Sequence, residues 1–230
     1  MFEPRISSKW LANITVLQKV VQLPVPSLYY GETRLYPAEP PSVDTILDNI
    51  LPNVFNRSLA SKGLQHASPL VRYTTMLVLS AVFQKYDKVA QSMKKVIMTL
   101  ETTLSESNNN MPSENWKKCL ESVREGLRRR VPEIQTLVAL HKQTSMKMAQ
   151  QTEDADQDEL SSQNQLLQDT AFRVVRYYQE FVPEALMESN IDPGNFIPTD
   201  ILSVKPGTLI HLLKLFLSMP DFNWTSKSCK

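Results

Sequence analysis

With two cysteines, five glycines and three histidines in 230 residues, the chain has little material for a metal centre, a disulfide framework or a glycine-rich phosphate loop. Cys119 and Cys229 lie far apart, with no CxxC or Cys/His spacing from which a zinc site could be assembled. They read as free thiols in a reducing compartment. No apolar run reaches the length of about 18 residues that a membrane span needs, and the N-terminal "MFEPRISSKW" lacks the basic-then-apolar plan of a signal peptide. A soluble, intracellular protein is therefore expected, in which the sequons at Asn13, Asn56 and Asn223 are accidental. The formal charge of +1 excludes a surface that is basic throughout, so any site for nucleic acid must be local.

Catalytic signatures are missing too. There is no GxSxG, HExxH or glycine-rich nucleotide motif, and His66, His141 and His211 stand apart. His66, just before a helix start, reads as a turn or capping residue; His141 falls on an apolar face and reads as core or groove; His211 reads as a partly buried helix residue. No enzymatic activity, cofactor or metal is expected, and no small-molecule substrate or membrane partner.

What the chain does have is helical periodicity, and enough apolar content (42%) to bury roughly 70% of its unfolded surface. A capping serine at Ser7 or Ser8 precedes Trp10, Ile14, Leu17 and Val21 at helical spacing, stopped by "LPVP". A proline-rich loop follows, through Pro24, Pro26, Pro37, Pro40 and Pro41. Ser42 is expected to cap a short helix through Ile50, with Asp44 near its positive end; Pro52 opens a second piece ending at Gly63, the candidate left-handed stop. Ser68-Pro69 restarts a helix in which Leu70, Thr74, Leu77, Ala81 and Gln84 form one row, widened by Val71, Val78 and Val82. A helix this apolar is sandwiched between neighbours.

It ends near Leu104, before the loop "SESNNNMPSE". Ser113 is expected to cap the next helix, which carries Trp116, Leu120, Val123 and Leu127 on one face and is broken at Pro132. Ile134, Leu137, Val138 and His141 mark the buried side of another. "TEDADQDELSSQNQ" reads as an acidic linker or disordered loop. Beyond it Leu166, Leu167, Thr170, Val174, Tyr177, Tyr178 and Phe181 form a helix stopped by Pro183, and Pro-Gly pairs at 193–194 and 206–207 precede a last helix from Thr208 to about Met219.

The predicted fold is all-α, with seven to eight helices recurring as pairs about every 40 to 45 residues, the period of HEAT- and armadillo-like α-solenoids. A single globular bundle is the other reading. The expected organisation is a helical-repeat segment over 1–150, the acidic linker over 151–165, and a further helical-repeat segment with an irregular tail over 166–230.

The strongest local charge signal is "VREGLRRRVP". Arg124, Arg128, Arg129 and Arg130 crowd a helix end, where positive charge is favoured by the dipole by about 0.3–1 kcal/mol per group. Two readings are open: a solvated last turn, or a phosphate-gripping patch that Lys117 and Lys118 extend if they share its face. Arg173 and Arg176 interleave with Phe172, Tyr177 and Tyr178, a mix that either stacks on bases or forms core.

Three ordered blocks carry more than pattern: "FEPRISSKWLANITVLQKVVQLPVPS", "LPNVFNRSLASKGLQHASPLVRYTTMLVLSAVFQKYDKV" and "LRRRVPEIQTLVALHKQ". Together they resemble the nucleolar pre-ribosomal-associated protein family, and a weaker match runs through "LLQDTAFRVVRYYQEFVPEALMESNID". The resemblance is nearer the fungal than the animal members. It implies a non-enzymatic helical-repeat scaffold in the nucleolus, acting in ribosome biogenesis through large-subunit assembly and rRNA processing. Implied partners are other pre-ribosomal assembly factors, among them a DEAD-box RNA helicase, and pre-rRNA. Family members are far longer, so the chain is read as a fragment or truncated gene model, with Trp10, Leu11 and Val16 exposing part of an uncapped apolar face.

Overall fold

A computed structural model describes residues 3–25, 37, 39–104, 111–149, 157–189 and 206–218, which hold nine helices and no strand. The all-α expectation is met, with more helices than the seven or eight expected. The additional piece comes from Pro183, which ends one helix and opens another, because a proline that cannot continue a helix is well suited to the first position of the next.

Helix α1 (Ser8–Gln22) starts where Ser7 accepts a 3.2 Å hydrogen bond from the Trp10 amide, and it buries Trp10, Ile14, Leu17 and Val21, the four residues of the predicted stripe. Trp10 therefore exposes nothing, contrary to the uncapped-face expectation, and Leu11 packs partly against the core; Val16 alone of the three stands out, at 62% exposed. Helix α2 (Val43–Ile50) is capped by Ser42 as expected. Helix α3 (Arg57–Leu64) begins not at Pro52 but at Asn56, whose side chain accepts from the Leu59 amide at 3.0 Å, while the Pro52 carbonyl closes a turn with Phe55. The long helix α4 (Pro69–Leu104) follows Ser68, and His66 is the turn residue between, its ring accepting from the Ser68 amide at 3.0 Å.

Gly63 departs from its predicted role. It lies inside α3, outside the left-handed region, and Gln65 is the capping residue. Its smallness serves packing instead, since a Cβ there would meet Thr75 Oγ1 of α4 at 2.3 Å and its Cγ2 at 2.9 Å. Thr75 is buried and its hydroxyl is held by the Val71 carbonyl at 2.7 Å, so it yields poorly. Gly63→Ala is expected to lower stability by about 1–3 kcal/mol through overpacking, read as a shift in the urea midpoint; an unchanged midpoint would show that α3 and α4 are not locked at this point.

Helix α5 (Met111–Arg130) starts two residues before the expected cap, so Ser113 lies within it and is buried. Helices α6 (Ile134–Ala149), α7 (Gln157–Phe181), α8 (Pro183–Glu188) and α9 (Pro206–Leu217) complete the order. The opening of α7 lies inside the stretch 151–165 expected to be linker, and Asn164 within that stretch is buried. Polar composition there does not oppose a helix that tertiary packing supports. The Pro-Gly pair at 206–207 forms the first turn of α9 rather than a loop boundary. Residues 26–36 of the proline-rich loop, the loop 105–110, the acidic residues 151–156, the Pro-Gly pair at 193–194, and Asn223 and Cys229 lie outside the described residues.

Two helices organise the core. Helix α4 packs against α1, α2, α3, α5 and α7, and α7 against α4, α6, α8 and α9. Surrounded in this way, α4 buries Val71, Met76, Val78, Leu79, Val82, Phe83 and Tyr86, while Leu70 is 48% exposed, Gln84 is exposed and Leu77 only half-buried. Ala81 and the widening residues Val71, Val78 and Val82 are buried as expected, whereas the rest of the predicted row is not: α4 is apolar on so many sides that periodicity cannot choose its inner face.

Candidate binding surface

The arginine cluster at the end of α5 is held by carboxylates from three helices. Arg130 reaches across to α2, with Asp48 at 2.6 Å and Asp44 at 3.4 Å. Arg124 pairs with Glu184 of α8 and stands 3.8 Å from Glu121. Arg128 bonds Glu125 at 2.8 Å and Glu188 of α8 at 2.7 Å, and Arg129 bonds Glu125 at 2.9 Å. Hydrogen bonds from Arg128 and Arg129 hold the Glu125 carboxyl below its ordinary range, and Glu125, then Glu188, raise Arg128 in return. The cluster is largely neutralised from within.

Lys117, Arg124 and Arg128 recur at i, i+7 and i+11 and so share one face of α5, the condition set for extending the patch. Lys117 nonetheless turns its Nζ to Glu101 at 2.9 Å and Glu114 at 2.8 Å. Lys118 lies on the neighbouring row and is exposed, as is Arg129, at 76% of its side chain. The phosphate-gripping reading thus retains two well-exposed cations, Lys118 and Arg129. Exposed ion pairs are individually worth little, so the significance of this network lies in cancelling charge and tying the end of α5 to α2 and α8.

Beside the cluster lies a cleft of about 390 Å³ at the α5–α6 turn, lined among others by Arg57, Arg128, Arg129, Glu133, Tyr178 and Glu188. Arg57 is paired with Glu133 at 2.6 Å, and the buried Tyr178 hydroxyl donates to the Pro132 carbonyl at 2.7 Å, so these polar groups serve the joint between helices. Among the described residues no group of three or more His, Cys, Asp or Glu is placed to hold a metal. No helix is long and apolar enough to cross a membrane among those residues. Cys119 is a buried free thiol 3.7 Å from the Pro41 carbonyl, and burial raises its pKa, away from reactive thiolate.

The rings interleaved with Arg173 and Arg176 are core. Phe172, Tyr177 and Tyr178 are at most 7% exposed, which removes them as base-stacking platforms. Arg176 lies over the Tyr177 ring, 4.7 Å from its centroid. His141 is buried against Phe172 with ring centroids 4.7 Å apart, as its apolar face predicted, and His211 is half-buried on α9. The carboxylate partners that α2 and α8 supply escaped sequence reading because they lie 60 to 86 residues away along the chain.

Sequence comparison then supplies what the geometry leaves open. Human nucleolar pre-ribosomal-associated protein 1 is 23% identical to the chain over 245 aligned residues, covering 97% of this chain. The chain is a distant relative of nucleolar pre-ribosomal-associated protein 1. The mouse protein of that name is 22% identical over 246 aligned residues with the same coverage of the chain, and the Saccharomyces cerevisiae protein is 24% identical over 89 residues, covering 39%. The chain spans about a tenth of the length of the human and mouse relatives of nucleolar pre-ribosomal-associated protein 1 that it matches. No protein-family profile matches it, and no solved structure does.

Proposed function

We propose that the chain is a helical-repeat interaction module of a nucleolar pre-ribosomal particle, acting by binding rather than by catalysis in large-subunit assembly and rRNA maturation. The observation that carries this reading is the alignment of 97% of the chain with human nucleolar pre-ribosomal-associated protein 1, whose name places it with pre-ribosomes. The packing is compatible with it. Consecutive helices bury apolar faces on α4 and α7, as HEAT- and armadillo-like pairs do on their neighbours. Assembly factors, a DEAD-box helicase among them, are the partners this reading implies, with the nucleolus as its compartment.

Direct RNA binding by Lys117, Lys118, Arg124, Arg128, Arg129 and Arg130 is the second reading, and it is weakened by the carboxylates already bound to five of the six, all but Lys118. Reversing those charges would also cut ties to α2 and α8, so it is not a neutral probe. The scaffold reading is tested by expressing the tagged chain in cells and fractionating nucleolar extract on a sucrose gradient. Co-sedimentation with large-subunit precursors is expected. A chain confined to the top fractions, while the full-length relative co-sediments, would overturn the proposal.

A further inference from the structure

Three of the buried side-chain nitrogens that lack a hydrogen-bond partner among the described residues, Arg173 Nε, Arg176 Nε and His211 Nδ1, belong to the contact between α7 and α9. Two hydrogen bonds fix the register of that contact. Thr208 donates to Asp169 at 3.0 Å and Gln179 to the Ser218 carbonyl at 3.1 Å, each pair separated by 39 residues, so the helices run parallel. The same offset sets Arg173 opposite Leu212 and Arg176 opposite Leu215, so both arginines border the edge of α9 that carries His211 and Lys214.

These cations are poorly compensated. Neither Arg173 nor Lys214 has an ion-pair partner among the described residues, and Arg176 has Glu180 at a distant 3.9 Å. Asp169 is engaged by Thr208. Burial holds the His211 imidazole below its ordinary range; Asp169 pulls it upward, and Arg176, Arg173 and Lys214 push it down. In contrast with α5, whose arginines are all paired, this edge carries a surplus of positive charge, with Arg173, Arg176 and Lys214 set against Asp169 and Glu180 alone among the described residues.

The second component is apolar. Ile210, Leu213 and Leu217 recur at i, i+3 and i+7 on the outer face of α9 and are 50%, 53% and 83% exposed, although Leu212 and Leu215 on its inner face are buried. Lys214 lies one turn from Ile210 and from Leu217, so the stripe and the cationic edge form one surface. An apolar ridge at helical spacing suits a second helix packed ridge-into-groove, and the flanking cations suit carboxylates on that helix. A phosphate backbone would leave the stripe uncovered, and Phe172, Tyr177 and Tyr178 are too buried to stack on bases.

We propose that the outer face of α9, with the Arg173–Arg176 edge of α7, docks an amphipathic helix of a partner protein whose apolar stripe is flanked by acidic side chains. This deepens the reading of the chain as a binding module and rests on it, but purified components test it independently of particle association. The probe is a fluorescent synthetic helix of about 18 residues with leucine along one stripe and glutamate elsewhere, titrated against the 230-residue chain. A leucine/lysine counterpart and a uridine oligomer of about 20 nucleotides are run beside it. Binding of the glutamate helix is expected, weakened by about tenfold or more by Lys214→Glu and, separately, by Leu213→Ser, both exposed positions where folding should survive. The lysine helix should bind at least about tenfold more weakly. Equal binding of both helices, or no binding by a folded chain, would overturn the proposal. So would salt-sensitive binding of the uridine oligomer that Lys214→Glu abolishes and Leu213→Ser leaves intact, which would mark an RNA site instead.

Discussion

Phe83→Ala is expected to destabilise the chain by about 3–5 kcal/mol, a large share of the roughly 5–15 kcal/mol typical of a domain. Phe83 is fully buried at the crossing of α4 and α7. Its ring meets Tyr178 edge-on at 4.9 Å between centroids, Phe181 in a stacked arrangement at 6.2 Å, and Tyr177 at 6.1 Å. Truncation leaves a cavity these rings cannot close, because Tyr178 is anchored by its hydroxyl to Pro132 and the Tyr177 oxygen accepts from Gln84 at 3.0 Å. Leu70→Ala on the same helix is the control: at 48% exposure it should change stability by no more than about 0.5 kcal/mol. Urea denaturation of the two variants separates the outcomes. Equal losses would mean that α4 does not have the inner face described.

The second large effect concerns acid. His141 is 6% exposed, and burial, reinforced by Lys142, pushes its pKa down from 6.5 to about 4. Above pH 6.5 the imidazole is neutral in both the folded and the unfolded chain and has no effect on the balance. As pH falls below that value the unfolded chain takes up a proton that the folded core refuses, so stability declines until about pH 4, where the folded imidazole protonates too. The slope is at most about 1.4 kcal/mol per pH unit, which gives a loss of roughly 2 kcal/mol between pH 7 and pH 5. The carboxyls of Glu114 and Glu125, held down by Lys117 and by Arg128 and Arg129, add a separate loss below their ordinary value of 4.5. His141→Leu should remove the larger part of the drop between pH 7 and pH 5 while remaining folded, leaving the contribution of His211, whose pKa burial also lowers. A wild-type urea midpoint that is the same at both pH values would refute the buried neutral imidazole.

Much of the helix inventory was legible because its signals are local. Ser7, Ser42 and Ser68-Pro69 mark helix starts through hydrogen bonds or backbone geometry spanning a few residues, and the four-residue stripe of α1 is a single amphipathic face. His66 and His141 were readable for the same reason, one from its position before a helix start and the other from its apolar neighbours. Gly63 was misread because glycine serves two purposes, a left-handed turn or a close approach, and only the position of Thr75 on another helix decides between them.

The candidate site was legible as a concentration of charge but not as a chemical state. A run of arginines reads the same whether it faces solvent, phosphate or carboxylate. Asp44, Asp48, Glu184 and Glu188, the residues that settle its character, come from α2 and α8. The α7–α9 edge was half visible: Arg173 and Arg176 stood out beside aromatic residues, yet their place along the His211 and Lys214 edge of α9 depends on a parallel register set by Thr208–Asp169 and Gln179–Ser218.

By itself the sequence determined the all-α class, the starts of α1, α2, α4 and α6 and the resemblance to nucleolar pre-ribosomal-associated proteins, since caps, periodicity and ordered blocks are properties of neighbouring residues. Tertiary structure alone decided which side of α4 faces inward, which arginines keep an available charge, and that α9 carries an apolar stripe on its outer face as well as its inner one. Burial and charge compensation are sums over atoms brought together from distant parts of the chain, and no local pattern contains them.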